Sequence, residues 1–506
     1  MTTTIAAATA QGRPTRWLGF GALILAVLLV SVDGTVLALA MPSIGRDLAA
    51  TGTQMLWIGD VYSFVLAGLL VTMGTLGDRI GRRKLLLYGA AGFGLVSTAI
   101  AYAPSAPWLI AGRVLLGVAG ATLMPATLAL IRTLFPDSRE RSTAIGIWGA
   151  AMSAGAALGP VLGGFLLEHF WWGSAFLINA PVMAILLAVG GKLLPESRNP
   201  EPGPWDLPSV ALSMVGMLGV VYAVKEIAAH GPGTGTVAAA MLGVAALLAF
   251  ARRQLSLPHP LIDVRLFRNR TFGGVIAAGM LSVLGLSGLL YFLSQYFQLV
   301  VGYRPLEAGL AELPAALGSM LFGILAGATT RRTSVRTVLG GGMALSGLAM
   351  ATLTVVEAST PYLLLGTALF LMGAGMGLAF TVASDVILTV VPPHQAGAAS
   401  AVSETAYELG MALGIATLGT VVTGAYRDAA LPAGTPAHLA AAAHDSLAGA
   451  AAAAETLPAA QAAALLDAAR TAFTDGLALA TTAGSILLLA AAAAVVALVR
   501  TPRPEK

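Results

Sequence analysis

Long apolar runs alternate with short polar breaks along almost the whole chain. A helix crossing a bilayer needs about 20 consecutive, mostly apolar residues. Windows of that kind recur fourteen times, near 17–41, 55–75, 85–103, 107–131, 142–167, 174–194, 207–226, 234–251, 272–301, 308–330, 335–356, 361–391, 396–424 and 473–499. This pattern predicts an all-α protein threaded through a membrane fourteen times.

The breaks between spans carry charge in alternation. Arg13 and Arg16 precede the first span, and Arg79, Arg82, Arg83 and Lys84 follow the second. Basic residues also cluster after spans four, six, eight and ten and at the C-terminus, so that 22 of the 28 Lys and Arg fall on one side. The other side holds Arg46, Lys225, Arg304, Arg427 and Arg470. By the positive-inside rule both termini are expected in the cytoplasm. This placement accounts for the net charge of +4 without a nucleic-acid partner. The chain is 57% hydrophobic and 10% charged, with mean hydropathy +0.83; soluble domains run at about 25% charged. It has no cysteine, which excludes disulfides, thiolate metal sites and cysteine nucleophiles.

An internal repeat organises the spans. Asp60 in span two lies 19 residues before Arg79, and Glu312 in span ten lies 19 before Arg331. Spans five and thirteen both carry glycine ladders, Gly155, Gly159 and Gly163 in one and Gly410, Gly414 and Gly419 in the other. Both relations hold if spans 1–6 repeat as spans 9–14. The expected division is a tail at 1–16, a six-helix half at 17–194, two inserted central helices within 195–271, a second six-helix half at 272–499 and a tail at 500–506. Parallel halves of this kind are a transporter architecture with sites near the midplane between them. The alanine-rich stretch 425–472 is expected outside as a spacer, a structured hairpin over the outer mouth being the alternative.

Seven charges interrupt the apolar spans: Asp33, Asp60, Arg113, Glu312, Asp385, Glu404 and Glu408. Each costs about 2.5–3.5 kcal/mol at a helix centre even on a lenient scale, so such groups mark ion, proton or substrate paths. The excess of negative charge points to bound cations, protons or both. Asp33 and Arg113 lie roughly 12 and 9 Å below the outer ends of their spans, at 1.5 Å per residue. Similar depth permits contact, and an arginine that approaches or leaves a carboxylate changes its proton affinity. A static structural pair is the alternative. Glu404 and Glu408, four residues apart, share a helix face with no basic partner on that span; they are candidates for taking up protons or a cation, or for hydrogen-bonded packing. Asp60 and Glu312 occupy matched positions near outer ends, as an outer cation vestibule, with a gate salt bridge or interfacial snorkelling as the alternatives. Asp385 is expected to serve a gate near the cytoplasmic end. Tyr62, Trp148, Tyr291, Phe292, Gln295 and Tyr407 are candidate lining groups, since aromatic faces suit organic cations, with core packing the alternative for each.

The loop after span two reads GTLGDRIGRRK from Gly74 to Lys84. Gly74 and Gly81 permit tight turns and close approach, and Asp78, Arg79, Arg82 and Arg83 can form a charge network that latches one conformation. This string resembles the signature loop of the major facilitator superfamily. RVLLGVAGA from Arg113 is similar to that superfamily's fourth-helix motif, and GAALGPVLGG from Gly155 to its fifth-helix antiporter motif. SVDGTVLALAMP from Ser31, LWIGDVYS from Leu56, WGSAFLINAP from Trp172 and AVSETAYELG from Ala401 resemble the fourteen-span drug:proton antiporters of the QacA and LfrA type. The second-half counterpart, GATTRRTSVR from Gly327, keeps the bases and lacks the acid, so an asymmetric latch is expected. The resemblance implies that Asp33 is essential to proton coupling, and that acids at Glu404 and Glu408 meet charged substrates. The Gly159–Pro160 pair is expected to bend or closely pack span five and so contribute to alternating access.

Dinucleotide, Walker and HExxH motifs are absent from the sequence, which argues against an enzyme and leaves an ion gradient as the energy source, with no cofactor. The expected function is proton-coupled efflux of lipophilic organic cations, drugs and dyes, by a monomer in a bacterial cytoplasmic membrane. Export of a neutral or anionic endogenous or antibiotic product is the alternative; a non-transporting receptor or scaffold fits the intramembrane acids poorly.

Overall fold

The computed structural model describes residues 13–498, apart from 199–205, 232, 259, 262–263, 358–359, 391–395, 429–431 and 433–434. The helices are α1 (Arg13–Asp47), α2 (Gly52–Ile80), α3 (Arg82–Ala101), α4 (Ala106–Leu134), α5 (Ser138–His169), α6 (Ser174–Leu177), α7 (Asn179–Leu193), α8 (Leu207–His230), α9 (Thr234–Ser256), α10 (Arg270–Gln295), α11 (Pro305–Arg332), α12 (Val335–Ala351), α13 (Tyr362–Val390), α14 (Ala396–Arg427), α15 (Ala437–Asp445), α16 (Leu447–Ala454) and α17 (Ala459–Leu498). A helix stands at every expected span. Among the described residues twelve helices are long and apolar enough to cross a membrane. The other two expected spans are α5, of 32 residues, and α8, whose apolar part runs Leu207–Ala223.

Local chemistry sets the helix ends. Thr51 and Gln54 form a reciprocal capping box at the start of α2. Gly81 separates α2 from α3 at φ +112°, a conformation that L side chains rarely adopt. An added Cβ there would also lie 2.5 Å from a Glu196 carboxylate oxygen. Asp206 caps α8 by accepting the Ser209 N–H, and accepts from Arg253 at the far end of α9 at 2.8 Å, which clasps the inserted pair.

Glycine decides which helices meet backbone to backbone. Gly155, Gly159 and Gly163 lay α5 against Leu28, Ser31, Thr35 and Val36 of α1. In the second half Gly410 and Gly414 lay α14 against Met280 and Leu284 of α10. Gly155 and Gly159 thus match Gly410 and Gly414 in their packing, whereas Gly419 meets Leu56 of α2 and Phe292 of α10. The halves meet along two seams, α2 against α14 and α5 against α11. At the second seam Gly309 faces the Pro160 carbonyl and Gly164 faces Pro305 and Leu306.

The inserted helix α8 lies over the first seam. Its Val221 and Leu218 pack with Phe64 of α2 and with Leu409, Ala412, Leu413 and Ala416 of α14. Met214 of α8 sits against Gly68 of α2.

The 425–472 stretch is more than a spacer. Beyond the end of α14 it holds the short helices α15 and α16, and α17 starts at Ala459, well before its apolar span. Arg427 pairs with Asp445, Tyr426 donates to the Ala443 carbonyl at 2.8 Å, and Asp445 accepts the Gly52 N–H. A surface segment becomes ordered when its polar groups find fixed partners, and here those partners come from both halves.

Candidate functional site

Arg113 is the centre of the buried polar cluster. Its guanidinium lies 3.4 Å from Asp33, with the two side chains 2% and 0% exposed. It also donates to the Ile58 carbonyl at 3.1 Å and the Gly59 carbonyl at 3.4 Å, and stands 4.7 Å from the Tyr62 ring centre. The close approach of α4 to α2 is made possible by Gly117 and Gly120, where an added Cβ would lie 2.8 Å from the Tyr62 carbonyl oxygen and 2.9 Å from its hydroxyl. Backbone carbonyls, a carboxylate and an aromatic face together replace the water that a buried guanidinium has lost.

Asp33 has a second partner. Asn179, the first residue of α7, donates from Nδ2 to Asp33 Oδ1 at 2.7 Å and to Ser97 Oγ of α3 at 3.1 Å. All three residues are buried. Four helices therefore hold Asp33: its own, α3 through Ser97 and Asn179, α4 through Arg113, and α7.

The cluster reaches across the first seam. Glu408 of α14 lies beside Ser63 of α2 and within electrostatic reach of Arg113, Tyr62 and Glu404. Glu404 and Glu408 keep partial exposure, whereas Asp33, Asp60 and Arg113 are sealed. Glu408 Oε2 and the Tyr62 hydroxyl are buried with no hydrogen-bond partner. Buried polar atoms are nearly always satisfied, which sets these two apart from the rest of the cluster. Asp60 is fully buried and within electrostatic reach of Arg113 and of Tyr291.

Other expected site residues lie elsewhere. Glu312 is buried, 4% exposed, with Oε1 unpartnered. Tyr291, Phe292 and Gln295 line a cavity under the α15–α16 hairpin with Met55, Tyr426 and Asp445. Trp148 donates to Thr127 at 3.2 Å and so ties α5 to α4. Tyr407 packs on Phe380 at 4.7 Å. Asp385 is exposed near the end of α13.

The two faces of the bundle differ. At the face bearing Arg79–Lys84, Arg82 pairs with Asp78 at 2.9 Å and its N–H donates to the Ser197 carbonyl at 2.8 Å. Arg83 donates from its backbone to Glu196 and from its side chain to the Gly191 carbonyl. Arg82 and Arg83 are thus engaged by α2, by α7 and by Glu196 and Ser197 just beyond α7. Glu196 was not singled out in the sequence, although it is the acid that receives the signature loop. At the opposite face the halves are tied together. Tyr291 donates to the Met55 carbonyl at 2.9 Å, Gln298 to the Leu39 carbonyl at 3.0 Å, and Arg304 pairs with Glu168. With the hairpin clasp on Gly52, these contacts close that face.

Two helical halves, joined at two seams and enclosing charged side chains at the seam, have the architecture of a membrane transporter. The Major Facilitator Superfamily model matches residues 23–415. The chain belongs to that superfamily. It is 46% identical over 467 residues to the multidrug efflux pump LfrA of Mycolicibacterium smegmatis, covering 92% of this chain and 93% of that one. It is 38% identical to the methyl viologen resistance protein SmvA of Salmonella typhimurium, covering 93% and 96%. The puromycin resistance protein pur8 of Streptomyces alboniger is 38% identical, over 81% of this chain and 83% of its own. Among solved structures, a bacterial homologue of the human lysosomal transporter Spinster superposes with TM-score 0.65 at 18% identity, covering 98% of this chain and 100% of that chain, a likeness of fold.

Proposed function

We propose that the protein is a proton-coupled antiporter that exports lipophilic organic cations, drugs and dyes among them, across a bacterial cytoplasmic membrane. One observation carries this reading. Asp33, Asp60 and Glu408 lie around the guanidinium of Arg113, Glu404 stands one turn from Glu408, and one carboxylate oxygen of Glu408 is left unpartnered at the seam. Such a cluster has an excess of negative charge that protons or a cation can offset, and competition between the two couples their fluxes. The reading is supported by relatives named for multidrug efflux and for resistance to methyl viologen, itself a dication.

In this scheme Asp33 is the proton carrier and Arg113 its regulator. When the halves rock and Arg113 moves, the carboxylate gains or loses its counter-charge and so takes up or releases a proton. Glu404 and Glu408 hold the cation, with Tyr62 offering a π face. The Gly74–Lys84 loop and Asp385 act at the cytoplasmic face, and Asp60 and Glu312 on the outer side. The protein works as a monomer, with both termini in the cytoplasm and no cofactor.

Purified protein in vesicles with an imposed pH gradient tests the scheme. Adding ethidium or tetraphenylphosphonium should move protons in the opposite direction to the cation. Cation movement without proton movement would overturn the coupling, and proton-coupled movement of only neutral or anionic compounds would overturn the substrate class. Reporter fusions at residue 450 should read as external.

A further inference from the structure

The Asp33–Asn179–Ser97 chain has a property that the Asp33–Arg113 pair lacks. A buried carboxyl that changes protonation must be satisfied twice, once as an acceptor and once as a donor. Arg113 serves only the first state, because a guanidinium cannot accept. Asn179 can serve both. In the structure its Nδ2 spends both hydrogens, one on Asp33 Oδ1 and one on Ser97 Oγ. Its Oδ1 is buried with no partner. Such an orphaned acceptor, 0% exposed in a packed site, is rare and calls for a role. A half-turn of the amide about χ2 exchanges the two ends. Oδ1 then faces Asp33 and Ser97 and accepts from the carboxylic acid and from the serine hydroxyl. Ser97 reverses from acceptor to donor without moving its oxygen.

We infer that Asn179 is a positioning residue for proton uptake, holding Asp33 in both protonation states by reversing its amide, with Ser97 reversing in step. The proton comes from the aqueous side and binds Asp33; no bond breaks other than hydrogen bonds. The other charged or titratable groups facing Asp33 are Arg113 of α4 and Tyr62 of α2, with Asp60 and Glu408 next beyond them. From α5 the helix packed against α1 presents Gly155 and Gly159. The amide is therefore the one neutral side chain that hydrogen-bonds Asp33 among the described hydrogen bonds, and it carries an acceptor as well as a donor.

This inference rests on the proton-coupled reading, and wild-type protein separates the two. If wild type moves no protons, that reading fails first. If wild type couples and the variants match it, only the role of Asn179 fails. Asn179→Leu removes donor and acceptor at similar size; Asn179→Asp keeps shape and polarity should the leucine variant fold poorly. Both should hold tetraphenylphosphonium within about threefold of wild type, since the described hydrogen bonds of Asn179 go to Asp33 and Ser97 and not to Glu404 or Glu408. Both should lose at least tenfold in proton-driven transport. The pH profile of Asn179→Leu should differ from that of wild type, because the partner of both protonation states is gone. Ser97→Ala should move it less. In difference infrared spectra the carboxyl band that Asp33→Asn removes should shift in frequency in Asn179→Leu. Wild-type rate and pH profile in either Asn179 variant would overturn the inference. So would equal loss of binding and transport in both, which would make Asn179 a packing residue.

Discussion

Replacing Glu408 with glutamine keeps the size of the side chain and removes its charge. In the structure Glu408 and Glu404 are one turn apart on α14, partly exposed, and Glu408 Oε2 has no partner. A dication can engage both carboxylates, whereas a monocation needs one. Losing one partner of a desolvated ion pair costs about 2–5 kcal/mol. Partial exposure weakens the Coulomb attraction, which places the cost at the lower end. At 1.4 kcal/mol per factor of ten, about 2 kcal/mol is roughly 30-fold. Transport of methyl viologen should therefore fall about 30-fold in Glu408→Gln. A monocation of similar shape, such as N-methyl-4-phenylpyridinium, should fall only a few-fold, because Glu404 remains. Glu404→Gln should show the same bias more weakly, since the orphaned oxygen belongs to Glu408. Proteoliposome competition assays at fixed pH gradient measure both ratios. Equal losses for the two cations would refute charge discrimination by α14 and leave these acids as proton carriers.

Asp33→Asn should abolish accumulation against a gradient while retaining tetraphenylphosphonium binding; wild-type efflux would remove Asp33 from the coupling step. Gly159→Val should lose folded protein or all transport, because its side chain would collide with Thr35 at the α1–α5 contact; normal yield and rate would show that the contact is looser than described. Asp445→Ala should loosen the hairpin clasp on Gly52 and Arg427. The chain has no cysteine, so Met55→Cys in that background should be labelled several-fold faster by a membrane-impermeant maleimide. An unchanged rate would mean that the hairpin does not hold that face shut.

Much of the scaffold was legible because a bilayer enforces it. Twenty apolar residues, alternating basic breaks and glycine ladders each follow from one physical demand, and the helices stand where those demands put them. The Asp33–Arg113 contact was legible from depth alone, since both are charges in apolar spans. Asn179 and Ser97 were not, although Asn179 lies in a quoted motif. A neutral amide carries no charge penalty to make it stand out, and only its partners reveal what it does. Rotational phase was the other blind spot. The apolar spans run nearly all round their helices, so sequence could not tell that Tyr291, Phe292 and Gln295 would face the α15–α16 hairpin and not Glu408. The order of 425–472 was hidden for a different reason: alanine-rich segments look alike whether they hang free or dock, and the docking depends on Asp445, Arg427 and Gly52, which are far apart in the chain.

The position of α8 makes the bundle unequal towards the lipid. On one flank a molecule dissolved in the bilayer meets Val221, Leu218 and Met214 before it meets α2 or α14. To reach Glu408 from there it would have to prise apart a dry apolar wedge, at a cost of about 25 cal/mol for each Å² of buried contact exposed. On the other flank α5 and α11 touch through Gly164, Gly309 and the Pro160 carbonyl, with little side chain between them. That flank can part with few side chains to disengage. The inserted helix α8 thus acts as a shutter over the α2–α14 seam.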